Sequence, residues 1–169
     1  LQHTFDQRAL QFAKENKKTN EQPDHSYILF QLRNEHFGIS LNDCQRVLHH
    51  QKITPLPFST SSIKGILHYH GHLIAMVDLL QFFGYASTPV LSDQSVIVIK
   101  NQQAIVCVMV NHVLGLSQYA NNELGDPLPS ECAQYKKYIL GIHNGHIAIL
   151  NTTIIINELL NSHQAVEKN

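Results

Sequence analysis

Charge is scarce in this chain. Only 15% of its 169 residues are Asp, Glu, Lys or Arg, and 12 cations nearly balance 13 acids. Phosphate backbones are bound by clustered Lys and Arg, so this composition argues against a nucleic-acid partner. Cysteine is scarce too. Cys44, Cys107 and Cys132 are odd in number and far apart, without CxxC spacing. That excludes a zinc knuckle and a disulfide framework, and it points to a reducing, cytoplasmic setting. Tryptophan is absent. No apolar run reaches the ~18 residues of a membrane-spanning helix, and no signal-peptide core is present. Direct membrane insertion is therefore not expected. Also missing are a Gly-rich phosphate loop, GxSxG and HExxH. The acids are scattered, so no nucleophile, acid/base pair or cofactor site stands out, and the chain reads as non-catalytic.

What is present is apolar and rich in histidine. Hydrophobic residues make up 43% of the chain, enough for a core without staples. Twelve histidines give it a latent positive charge below about pH 6. Three of them form an alternating set, His68, His70 and His72, inside GILHYHGHLIAMVDL. On one regular strand they would share a face and suggest a metal ligand set. Gly71 instead signals a bend that would break the alternation. Ordinary surface histidines, a metal site and a partner-binding surface all remain open on this pattern.

Residues 1–25 read as an N-terminal extension. Phe5, Ala9, Phe12 and Ala13 have helical spacing, and a polar linker follows. From Ser26 the texture is β. YILFQL and RNEHFGISL form a predicted hairpin, with Arg33, Asn34 and Glu35 near its turn. Asn42 is expected to cap a short helix carrying Cys44, Val47 and Leu48, and KITPLP to be an extended strand. Another brief helical turn is expected near Thr60–Ser62. HLIAMV is strand-like, and Asp78 is expected to cap a helical turn, DLLQFF, stopped by Gly84. SVIVIK and AIVCVMV pair across residues 101–103, Cys107 being a small buried hydrophobe, and NHVLGLSQY extends that sheet. YILGIHNGHIAIL carries Asn144-Gly145, a type I′ hairpin signal. A helix over about residues 152–162 closes the body, and 163–169 is a tail. Many short strands, few helices and no βα alternation predict an all-β fold of small barrels, without parallel pairing.

The order of these segments resembles the CheW-like adaptor domain of bacterial chemosensory systems, over about four fifths of the chain. YILFQLRNEHFGISL is similar to that family's opening hairpin, and CQRVL stands where it has V-x-E-V. ITPLP matches the strand before its loop. GILHYHGHLIAMVDLLQFFG resembles G-V-x-N-L-R-G-x-I-x-P-V-V-D-L-R-x-x-x-G. VMVNHVLGL resembles V-D-x-V-x-x-V, and YILGIHNGHIAILNTTIIINELL resembles the closing hairpin, L-D and terminal helix. The resemblance implies two SH3-like β-barrel subdomains around a shared core, within residues 26–162. It implies a non-catalytic adaptor, without cofactor, joining the regulatory domain of a CheA-type histidine kinase to the cytoplasmic tip of a methyl-accepting receptor. A pathway governing type IV pilus motility fits such a divergent member. The implied kinase contact is Gln45, Arg46 and Val47. The implied receptor contact is His68, His70, Gly71 and His72. Gly38, Gly65, Asp78, Gly84 and Gly141 are implied structural positions.

The chain departs from the pattern at charged sites. Arg46 replaces the glutamate of V-x-E-V. His68 and His70 replace the asparagine and arginine of N-L-R-G, Ala75 the proline before V-V-D-L, and Asn111 and Asn151 two aspartates. An imidazole makes at most two single hydrogen bonds and titrates, whereas a guanidinium is a fixed fork. The alternative is a retained fold reused as a histidine-rich, metal- or pH-responsive binding module.

Overall fold

The computed structural model describes residues 24–57, 62–87, 94–127 and 134–166. The expected N-terminal helix and the helical turn at Thr60 lie outside them. Eleven strands are formed by the described residues: β1 (His25–Leu32), β2 (Glu35–Ser40), β3 (Cys44–His49), β4 (Ile63–Tyr69), β5 (His72–Asp78), β6 (Ser95–Lys100), β7 (Ile105–Val110), β8 (His112–Tyr119), β9 (Leu124–Gly125), β10 (Ile139–His143) and β11 (Ile147–Leu150). A helical turn α1 (Leu79–Phe82) follows β5, and helix α2 (Thr152–Val166) follows β11. They build one sheet ordered β8-β1-β2-β11-β10-β9 and a second ordered β3-β6-β7-β5-β4.

The apolar runs are uninterrupted because both faces of the central strands are buried. In β6, Ile97 and Ile99 enter a core shared between the sheets, while Val96 and Val98 fill the interior of the five-stranded sheet. In β7, Val106, Val108 and Val110 go to the shared core, and Cys107 and Met109 to the inner one. In β1, Phe30 and Ile28 face the shared core, and Tyr27 faces a small third cluster with Tyr119, Ile147 and Ile149. Each barrel thus has its own filling, and α1 and α2 close the shared core with Leu79, Phe83, Ile155 and Ile156. Cys107 is fully buried, and its apolar surroundings push the thiol pKa up to about 12, so it packs as a hydrophobe.

Four expectations need correcting. Residues 44–49 form strand β3, not a helix. A bulge between Cys44 and Arg46 leaves Gln45 unmatched against β6, which breaks the alternation and mimics helical spacing. KITPLP forms no strand; Thr54 alone bridges to Ile66. Parallel pairing exists, since β2 runs parallel to β11 and β5 to β7. Finally, β8 does not extend the β6–β7 sheet. It pairs with β1, and the Asn111 N–H donates to the Gln31 carbonyl at 3.1 Å as the chain changes sheet.

Two departures from the family pattern have local structural roles. Asn111 Oδ1 accepts the Arg33 N–H at 2.9 Å and so braces the β1–β2 turn. Asn151 Oδ1 accepts the Ile154 N–H at 3.2 Å, capping α2. Asparagine keeps the acceptor an aspartate would supply and drops only the charge.

Candidate functional site

Strand β4 ends at Tyr69 and β5 begins at His72, with Tyr69 opposite His72 and His68 opposite Leu73. The two residues between, His70 and Gly71, have φ of 47° and 80°, the two positive values a type I′ turn requires. The three histidines therefore sit on two strands and a turn, not along one strand face. All three are exposed. Among the described residues, no three His, Cys, Asp or Glu side chains are placed to hold a metal ion.

The fold brings together, at a groove, Gln45 of the expected kinase contact and His70 and His72 of the expected receptor contact; Arg46, Val47, His68 and Gly71 are not among the lining residues. Gln45 of β3, Tyr69, His70, His72, Leu73 and Ile105 border one open groove of about 520 Å³. Ile74, Gln103 and Ala104 complete its lining. The bulge in β3 is what leaves Gln45 unpaired at this edge. Arg46, beside it, is exposed. Val47 is half-buried and packs against the shared core, so it supports the strand from beneath. Leu73 is 68% exposed and Ile105 41%, and both border this groove. The Tyr69 and His70 rings meet edge-on at 4.3 Å between centroids.

Leu73, Tyr69 and Ile105 were not singled out from sequence. The signal for Leu73 was present: a two-residue turn at His70-Gly71 sets Leu73 across from His68, on the exposed side. A larger cleft of about 810 Å³ lies between the β1–β2 and β10–β11 turns. None of the sequence-predicted contact residues lines it, and Asp126 and Tyr135 border it on either side of residues outside the description.

The structural positions do backbone work. Asp78 is buried and caps α1, with Oδ1 accepting the Gln81 N–H at 3.2 Å. Gly84 ends that turn with φ of 90°. Gly38 lies under the Tyr27 ring, Gly65 against the Thr54 carbonyl, and Gly141 against Leu124.

One histidine not singled out is buried. His143 Nδ1 lies 2.8 Å from the Tyr27 hydroxyl, and Nε2 lies 3.8 Å from Glu123 Oε2. Burial pulls its pKa below the ordinary imidazole value. The Glu123 carboxylate opposes that pull and His146 adds to it. The native state thus binds fewer protons than the unfolded chain. Its stabilising contribution is present above about pH 6.5 and is lost as the pH falls from there through the folded-state pKa. Melting curves at pH 7.5 and 5.0 should show a larger acid-induced drop for the native chain than for His143→Gln. Equal drops would mean that His143 does not carry the acid sensitivity.

The CheW-like domain family model matches residues 26–159. The chain belongs to the CheW-like domain family. It is 25% identical over 117 residues to Protein PilI of Pseudomonas aeruginosa, which covers 69% of this chain and 66% of that protein. It is 25% identical over 97 residues to the chemotaxis protein CheW of Thermotoga maritima, covering 57% and 64%. It is 25% identical over 101 residues to that of Klebsiella aerogenes, covering 60% and 61%. The chain therefore spans somewhat less than two thirds of these relatives. The solved scaffolding protein TtCheW of Thermoanaerobacter tengcongensis superposes with a TM-score of 0.67 at 21% identity, over 79% of this chain and 92% of that one. The CheW-like fold is two SH3-like subdomains, and the two sheets with their separate inner clusters are those subdomains here. No helix among the described residues is long and apolar enough to cross a membrane.

Proposed function

We propose that this chain is a non-catalytic adaptor in a bacterial chemosensory system. It joins the regulatory domain of a CheA-type histidine kinase to the cytoplasmic tip of a methyl-accepting receptor. The observation that carries this reading is the CheW-like match across residues 26–159, which spans both barrels. The similarity to Protein PilI and to two chemotaxis proteins named CheW supports it. Gln45 and Arg46 of β3 form the kinase-side contact, with Val47 bracing the strand. His68, His70, Gly71 and His72 form the receptor-side contact; Gln45, His70 and His72 border the same groove. With Arg46 in place of glutamate, the partner face must offer an acid, because matched charge sets partner choice and association rate.

The test is binding of the purified chain to the regulatory domain of each CheA-type kinase in its source organism. One cognate domain should bind, and Arg46→Glu should weaken that complex at least fivefold. Absence of binding to every such domain would sink the adaptor reading.

A further inference from the structure

The lining of the groove at Leu73 has a one-sided chemistry. Its floor and walls are Tyr69, Leu73, Ile74, Ala104 and Ile105, and its polar members are Gln45, His70, His72 and Gln103. Among the described residues, no carboxylate and no lysine or arginine lines it. Its titratable groups are the two imidazoles and the Tyr69 phenol, all on the β4–β5 hairpin. Gln45 is the contribution of β3; the β6–β7 turn and the start of β7 bring Gln103, Ala104 and Ile105. On the same elements, Arg46 and Lys100 are exposed and Cys44 and Asp43 half-buried. Asp43 is not a lining residue. A ligand seated here meets apolar surface, with amide and imidazole hydrogen-bonding groups around it.

We propose that this groove docks an acidic, apolar segment of a partner protein: an aliphatic or aromatic side chain covers Leu73 and Ile105, and flanking carboxylates face His70, His72 and Arg46. The inference rests on the adaptor reading and adds the chemistry of the partner. Charge complementarity selects this occupant. A basic segment meets no acid among the described lining residues and has the exposed Arg46 and Lys100 nearby, and a purely apolar one leaves the donors unpaired.

Three capped ten-residue peptides serve as probes: one with a central leucine flanked by aspartates, one with lysines replacing the aspartates, and one with serine replacing the leucine. Each is titrated to millimolar concentration into the isotopically labelled full chain. The acidic leucine peptide should shift the amides of Gln45, His70 to Leu73 and Ile105. The lysine peptide should bind about three- to fivefold more weakly, as expected for exposed charge contacts. Leu73→Asp and Ile105→Asp, both at exposed positions, should each weaken binding of the acidic leucine peptide at least tenfold. Equal binding of the lysine peptide, shifts away from the groove, or no shifts at all would overturn the proposal. If a kinase domain and a receptor tip both bind Leu73→Asp as tightly as the native chain, the adaptor stands and the groove inference fails. If the acidic peptide binds at the groove and no kinase domain binds, the reverse holds.

Discussion

Asp78→Ala should destabilise the protein by about 3 kcal/mol, read from urea unfolding. The carboxylate is 3% exposed and serves three groups. Oδ1 caps α1 through the Gln81 N–H, and loss of such a cap costs about 1 kcal/mol. Oδ2 accepts the Ser87 hydroxyl at 3.0 Å, and the Lys64 ammonium lies 3.9 Å away. That ion pair is long, and Lys64 is partly solvated, so it falls short of the 3–5 kcal/mol for breaking a fully buried pair. Losing the acceptor at a buried site adds about 1–3 kcal/mol. Asp78→Asn retains one acceptor oxygen and the shape, so it should cost about half as much. If the two variants are equally destabilised, the carboxylate is there for its charge and not for capping. The position lies where β5, α1 and the shared core meet, so its loss should also loosen Leu79 and Leu80.

The sequence made the local elements readable and left the long-range ones dark, for a physical reason. A hairpin is coded by neighbours: Asn144-Gly145 has φ of 52° and 75°, the geometry that dipeptide favours. The β6–β7 pair was equally legible from two apolar runs around a short polar turn. Parallel pairing of β2 with β11 joins residues more than 100 positions apart, with no turn between them to announce it. The same runs with both faces buried look alike whichever strand lies beside them. Strand β3 misled because its bulge at Gln45 sets Cys44, Val47 and Leu48 at a spacing that suits a helix. That bulge is also where an expected contact residue becomes available, so the local rule failed at the candidate site itself.

The groove shows the same division. Gly71 was readable as a bend, and the bend dissolves the apparent histidine ladder. What no local pattern supplied was the meeting of β3, the β4–β5 hairpin and the start of β7, which requires the five-stranded order β3-β6-β7-β5-β4. Departures from the family pattern also separate only in three dimensions. Asn111 and Asn151 hold backbone groups, while Arg46, His68 and His70 face solvent.

Gly65→Ala is expected to cost about 2–4 kcal/mol, more than Gly71→Ala although Gly71 has the less common backbone conformation. A Cβ on Gly65 would lie 2.4 Å from the Thr54 carbonyl oxygen and 2.8 Å from Ile53 Cγ2. Thr54 cannot step aside cheaply. Its N–H donates to the Ile66 carbonyl at 3.0 Å, and its own carbonyl accepts the Ile66 N–H at 2.8 Å. Relieving the clash means giving up one or both bonds, which hold the segment after β3 on the free edge of β4. At Gly71 a Cβ meets nothing within 4 Å, so alanine there carries only the strain of φ near 80°, about 1 kcal/mol. Denaturant unfolding of both variants, with hydrogen exchange at Thr54 and Ile66, separates the two causes. Gly65→Ala should lose protection at both amides, and Gly71→Ala should keep it. Equal destabilisation with intact protection at Thr54 would show that the close approach at Gly65 is not what holds that segment in place.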